Sequence, residues 1–357
     1  MTASLVTRGA LAARFATWSD RPTLVAIAAM NAITGLAVLI LLGPASFGAD
    51  AATYRDCAVA AAKGGACGFL YSPLMTLAAM PLTWVSPVVA GVAMTLIGLS
   101  VLAAGVALET RGGSGLDRLL VGLAALGFAP VVYDLLLGQI TLLIAGSIYL
   151  VVRRPDGLRN GIPVGVVLAL APKPLLGPVL VWMLVWRRRG LGGAASTALA
   201  LTGFGLVIAG PEAYRQWLGV LTGAGAASVS GTFSLSLSGS FSLWPLDQAR
   251  LAIAAVVAAA TGWMILRDPQ RGFVSALLAG LLLAPYTGLY AAAILVLAVT
   301  PALAFAPRAT RVLAFVANPV MALALGLVGW CLVALLACVP WHPGRGHGRA
   351  ALDSVDA

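Results

Sequence analysis

Phe47-Gly-Ala-Asp50-Ala-Ala-Thr-Tyr54-Arg55-Asp56-Cys57 follows the first long apolar run of the chain and leads through Gly64-Gly65 to Phe69-Leu70-Tyr71-Ser72-Pro73. Two acids, Asp50 and Asp56, fall in this stretch of a 357-residue chain with only 12 Asp and Glu in all. Its surroundings are apolar: 61% of residues are hydrophobic, 10% are charged, and mean hydropathy is +0.99. A soluble domain carries roughly 25% charged residues. Apolar runs of about 18 residues recur, each long enough to cross a bilayer. The predicted fold class is all-α, a polytopic transmembrane helical bundle. The quoted stretch is then an acid-bearing loop at one membrane surface. The short alternating strands of a transmembrane barrel do not occur in the pattern.

The net charge is +10. Basic loops kept in the cytoplasm account for it. Nucleic-acid binding needs a basic soluble surface, and the sequence offers none. Arg8, Arg14 and Arg21 precede the first apolar run, Leu24 to Leu42, which is too long for a signal-peptide core and is predicted to be a retained helix. Arg153-Arg154 with Arg159, Arg187-Arg188-Arg189, Arg267 with Arg271, and Arg308 with Arg311 are all predicted to be cytoplasmic, like the N-terminus.

One arrangement satisfies these constraints. A helix over 23–42 runs outward, and 44–70 is an outer loop whose 51–63 segment lies on the surface as a helix. The stretch 72–86, with Pro73 and Pro81, reads as a re-entrant or interfacial hairpin. Crossings follow at 87–107, 119–136, 139–152, 161–172, 174–186, 191–209, 247–265, 272–287, 289–305 and 312–338, about eleven in all. Residues 1–341 make a single membrane domain, 211–246 a later Ser- and Gly-rich outer loop, and 342–357 a polar tail. Broken helices at membrane depth are tolerated only where they line protein or a cavity. On this orientation Asp50, Asp56, Tyr133-Asp134, Gly138-Gln139, Lys173, Tyr286 and Tyr290 all fall on the outer side.

Each of these residues has a plain reading and a chemical one. Asp50 is a solvated acid or a cap for a helix starting at Ala51, or it is a general base that takes a proton from a hydroxyl. Lys173, in Ala171-Pro172-Lys173-Pro174, snorkels at a helix boundary, or its ammonium holds a phosphate through charge-assisted hydrogen bonds. Gln139 and Asp134 cap or bridge neighbouring helices, or line a pocket. Tyr286 and Tyr290, four apart, are interfacial anchors or a wall on which a sugar stacks. Cys57 and Cys67 share the first loop and form a disulfide if that loop is extracytoplasmic, or remain two thiols. His342 and His347 are the only histidines and lie in the tail, so no Ser-His-Asp set, phosphate loop or metal-type Cys/His spacing arises.

These elements, in this order, resemble glycosyltransferase family 87, whose members use polyprenyl-phosphate sugars and have the GT-C membrane fold. The family's early Asp-x-x-x-Tyr is similar to Asp50-Ala-Ala-Thr-Tyr54, and its aromatic-Tyr-Pro-Pro stretch to Phe69-Leu-Tyr71-Ser72-Pro73. Its Gly-Gln helix start looks like Gly138-Gln139, and its Gly-rich hairpin with Lys-x-x-Pro like Gly161 through Lys173 to Pro178. The likeness covers about 23–190. It departs at Ser72, where the family has proline, and at Pro285-Tyr286-Thr287-Gly-Leu-Tyr290, where many members carry a His-containing motif.

The resemblance implies transfer of a sugar, often mannose, from a polyprenyl-phosphate donor to a lipid or glycan acceptor outside the cell membrane, with inversion. By that resemblance Asp50 would be the general base, Lys173 the donor-phosphate ligand, and Tyr71 and Gln139 the pocket wall; Tyr54, Tyr286 and Tyr290 are further substrate-binding candidates. No nucleotide or divalent metal cofactor is called for. A transporter or flippase for a lipid-linked substrate, and an inactive scaffold of the same fold, are the competing expectations.

Overall fold

The computed structural model describes residues 21–63, 71–111, 113–227, 247–284, 289–296 and 300. The described residues are helical, with turns and coil between, and contain no strand. Cys67, Tyr286, the apolar run 312–338 and the tail lie outside them.

The chain opens with α1 (Arg21–Leu42), then α2 (Ala49–Ala62), α3 (Pro73–Ala78) and a 3-10 turn (Met80–Trp84). A long α4 (Pro87–Glu109) follows, then α5 (Gly115–Leu126) and α6 (Ala129–Leu137). Next come α7 (Thr141–Arg153), α8 (Leu158–Leu170), a 3-10 turn (Pro174–Leu176) and α9 (Gly177–Trp186). The remainder is α10 (Arg188–Ala227), α11 (Asp247–Arg267), α12 (Pro269–Leu283) and a 3-10 segment (Leu289–Leu295).

Local chemistry sets several starts. Ser86 accepts a hydrogen bond from Val89 N ahead of Pro87 at the start of α4. Proline there loses nothing, because the first-turn N–H groups have no helical acceptor anyway. Ser114 and Asp117 form a reciprocal capping box at α5. Asp268 accepts from Gln270 N and Arg271 N before Pro269 of α12.

α1, α4 and the Arg188–Val220 part of α10 are long and apolar enough to cross a membrane, and α5 with α6 makes a fourth if the bent pair counts as one span. The chain turns by 69° between those two, where Phe128 is extended and Pro130 sits in the first turn of α6. The crossing expected over 119–136 thus falls on two helices bent at this break. Eleven crossings were expected; five further apolar helices here have 10–17 residues. Large apolar side chains point outward from the long helices, among them Ile40, Leu41 and Val207 at 71%, 82% and 84% exposure. Water penalises such surfaces, whereas hydrocarbon does not.

Four local expectations meet a different local structure. The N-cap of α2 is Gly48, and Asp50 sits inside the first turn; it does not cap a helix beginning at Ala51. A left-handed Gly48 (φ 69°) turns the chain there and donates to Leu136 O at 2.7 Å, so the cap position is used for docking onto α6. The expected outer loop from 211 begins as helix, because α10 continues through a kink at Gly210-Pro211 to Ala227. Proline fits the first turn after such a break. The crossing expected from 289 begins as a 3-10 segment. The hairpin expected over 72–86 is a six-residue helix and a 3-10 turn.

Tertiary contacts sort the helix ends into two groups. At one, Glu109 pairs with Arg153, and Arg187 donates to the Val151 and Val152 carbonyls. Asp156 there accepts from the backbone of Arg189 and Gly190, and Trp186 donates to Ile265 O. Thus the arginine-bearing turns after α7 and α9 and at the end of α11 share one end of the bundle. At the other end, Gly48 meets Leu136, and the Ser72 hydroxyl donates to Ala169 O at 2.5 Å. Between them run helices such as α4, whose 23 residues span roughly 35 Å at 1.5 Å per residue.

Candidate active site

At the end away from the arginines, the α6–α7 turn comes against α2. Gly138 makes this approach possible. It closes α6 in the left-handed conformation (φ 69°, ψ 40°), and a Cβ on it would meet the Ala51 Cβ at 3.0 Å. Gln139 N donates to Asp134 O at 2.9 Å, which directs the next side chain toward α2.

Gln139 is buried and ties three residues together. Its Oε1 accepts hydrogen bonds from the hydroxyls of Tyr54 and Tyr71, each at 2.9 Å. With the oxygen so engaged, the amide nitrogen donates to Asp50 Oδ2. The amide orientation is set by this network, since an Nε2 in the oxygen's place would face two hydroxyls and leave the carboxylate opposite another acceptor. Tyr54 and Tyr71 also stack edge to face, with ring centroids 5.5 Å apart. Tyr54 lies one helical turn after Asp50 on the same face of α2, which explains the four-residue spacing.

Lys173 enters from the coil between α8 and the 3-10 turn that precedes α9. Its Nζ is buried and has no hydrogen-bond partner among the described residues. The ammonium lies over two tyrosine faces, 5.2 Å from the centroid of Tyr71 and 5.1 Å from that of Tyr290. Tyr290 packs in turn against Tyr133, at 6.2 Å between centroids. Asp50 and Lys173 are within electrostatic reach of each other, and Asp134 lies within reach of the same ammonium.

Burial raises the Asp50 carboxyl above the ordinary aspartate value, while the Gln139 hydrogen bond and the Lys173 charge hold it back. An acid so placed is a stronger base than a solvated one. The chamber therefore offers a tethered base, a buried cation and an aromatic wall. That set suits a reaction in which a hydroxyl loses a proton and a phosphate gains charge.

Of the residues singled out in the sequence, Asp50, Tyr54, Tyr71, Gln139, Lys173 and Tyr290 come together here. Tyr286 and Cys67 fall outside the described residues; Cys57 is buried in α2 and disulfide-bonded. Asp56 stays out of the site, exposed and paired with Arg55. Tyr133, which the sequence marks only as an outer-side polar residue, and Asp134, which it marks as a cap or bridge, also lie at this cluster. Their signal was position, one turn ahead of Gly138-Gln139 on a helix otherwise apolar.

The model of glycosyltransferase family 87 matches residues 69–287, more than half of the chain. The chain belongs to glycosyltransferase family 87. Membership makes it a glycosyltransferase of the membrane. The matched segment holds Tyr71, Asp134, Gln139 and Lys173 and starts after Asp50, so Asp50 joins the family region through its bond to Gln139. No curated protein and no solved structure matches the chain.

Proposed function

We propose that this family 87 chain moves a hexose, such as mannose, from a polyprenyl-phosphate carrier to an acceptor hydroxyl on the extracytoplasmic side of the cell membrane, within a GT-C fold. The observation that carries the reading is a buried ammonium with no hydrogen-bond partner among the described residues, within reach of a carboxylate that Gln139 holds in place. A buried cation without hydrogen bonds is costly, and an incoming phosphate would offset that cost.

In the proposed step Asp50 accepts the proton of the acceptor hydroxyl, and the freed oxygen attacks the anomeric carbon. The bond from that carbon to the phosphate oxygen breaks, and its electron pair leaves with the polyprenyl phosphate. Lys173 stabilises the charge that develops there. Attack and departure on opposite faces invert the anomeric centre, and holding both reactants in line removes much of the entropic barrier. Tyr71, Tyr54 and Tyr290 would wall the sugar, and Gln139 would aim the base. The arginine turns, which gather at the far end, support the outer location, because the usual rule retains such turns in the cytoplasm. A Cys57–Cys67 bond would fit an oxidising exterior.

The test is sugar transfer by the purified chain in detergent, with polyprenyl-phosphate mannose and polyprenyl-phosphate glucose as donors. Turnover that disappears in Asp50→Asn supports the reading. Binding or movement of the lipid without glycoside formation would mean a transporter, and no donor binding would mean an inactive scaffold.

A further inference from the structure

Asp134 is a second carboxylate of the chamber, with no part in the step above. Its residue is fully buried on α6, at 0% exposure. One oxygen accepts from Leu142 N at 3.4 Å, which fastens the acid to the first turn of α7. The other oxygen has no hydrogen-bond partner among the described residues, and neither does the Lys173 ammonium. The two buried groups of opposite charge interact electrostatically, and Asp134 also lies against Thr141 at the start of α7.

The groups around Lys173 can be named element by element. From α2 come Asp50 and Tyr54, from the coil ahead of α3 comes Tyr71, from α6 come Asp134 and Tyr133, and from the 3-10 segment comes Tyr290. Two of these, Asp50 and Asp134, are carboxylates. Asp50 becomes neutral whenever it takes a proton from the acceptor. Asp134 takes no proton in that step. The tyrosine faces attract a cation only weakly beside a carboxylate.

We propose that Asp134 is the standing counter-charge of Lys173, a positioning residue that keeps the ammonium charged and inside the chamber before the donor phosphate arrives and after the product phosphate leaves. This rests on reading Lys173 as the donor-phosphate site. Desolvation works against the ammonium, and the charges of Asp134 and Asp50 sustain it. Loss of Asp134 would let Lys173 shed its proton at lower pH, and donor capture would fail earlier on the alkaline side. The acid also anchors α7, so a purely structural role is the reading to separate.

The experiment is donor kcat/KM against pH for the purified full-length chain, with polyprenyl-phosphate mannose and glucose. In the wild type the alkaline limb reports Lys173. Asp134→Asn is expected to move that limb down by about one unit or more. At the old limb that is about a tenfold rise in donor KM, with kcat changed less. Asp134→Glu keeps the charge and is expected to restore the limb. An Asp134→Asn limb that superimposes on the wild type, while Lys173→Ala raises donor KM and removes the limb, overturns the counter-charge role and leaves the phosphate reading standing. A Lys173→Ala profile identical to wild type removes the phosphate reading and this inference with it. Should Asp134→Asn not fold, Lys173→Met in the same chain is expected to restore folding, because the stranded charge is gone. A double variant that still fails to fold also overturns the proposal.

Discussion

At the scale of single residues, the site turns on what Asp50 touches. Asp50→Asn keeps the shape and an acceptor for the Gln139 amide but cannot take a proton. It is expected to lower turnover by about 10²–10⁴-fold or more, measured as glycoside formed under saturating donor. The pH dependence has a definite sign. The base must be ionised, and burial raises its folded-state pKa, so activity falls as pH drops through a midpoint above the ordinary aspartate value of about 3.9. Linkage runs the same way. A raised carboxyl means the folded state binds the proton more tightly, so stability is lost as pH rises from the unfolded value through the folded one. At neutral pH, then, Asp50→Asn is expected to keep or raise Tm while losing activity. A Tm well below wild type would show that the charge supports the fold. Asp50 and Lys173 were legible as residues because each stands alone in an apolar surrounding. Their neighbours were less so: the resemblance marks Tyr71 and Gln139 as pocket residues, but nothing in the sequence says that the Tyr54 and Tyr71 hydroxyls end on one amide oxygen.

At the scale of elements, the docking of the α6–α7 turn on α2 decides whether the base is aimed. Gly138 carries that docking. Gly138→Ala would place a side chain in the left-handed region, costing about 1–2 kcal/mol, and would press on Ala51, 3.0 Å away. It is expected to lower Tm and to reduce kcat more than donor KM, because Gln139 withdraws from Asp50 while Lys173 stays. Equal losses in kcat and kcat/KM across donors would fit; a pure donor KM effect would not. Gln139→Ala removes the tether itself and leaves two buried tyrosine hydroxyls without this acceptor, at about 1–3 kcal/mol each. Most helices were visible as apolar runs, and Gly210-Pro211 announces the kink in α10. The direction of the chain after that kink was not visible. Its Ser, Gly and charged residues resemble those of a loop, and only the structure carries the helix on to Ala227. The break at Phe128 is marked by Gly127 and Pro130 on either side of it, although the apolar run continues through it.

At the scale of the whole molecule, the arginine turns and the chamber occupy opposite ends. If the arginines are retained in the cytoplasm, a cysteine introduced at exposed Lys63 is expected to react with an impermeant thiol reagent in intact cells. One at exposed Arg154 is expected to react only after lysis, each read against the parent chain. The reverse pattern would turn the chamber toward the cytoplasm. A separate cavity of about 290 Å³ lies between α4 and α7, lined by Val101, Leu142, Gly146 and Tyr149 and reaching Glu109. It offers a lipid tail a second location, away from the base. The most direct test is therefore an experimental map of the chain with polyprenyl phosphate bound. The phosphate is expected beside Lys173 Nζ, between the rings of Tyr71 and Tyr290 and facing Asp50. Phosphate density at Glu109 and Arg153, with Lys173 left unoccupied, would contradict it.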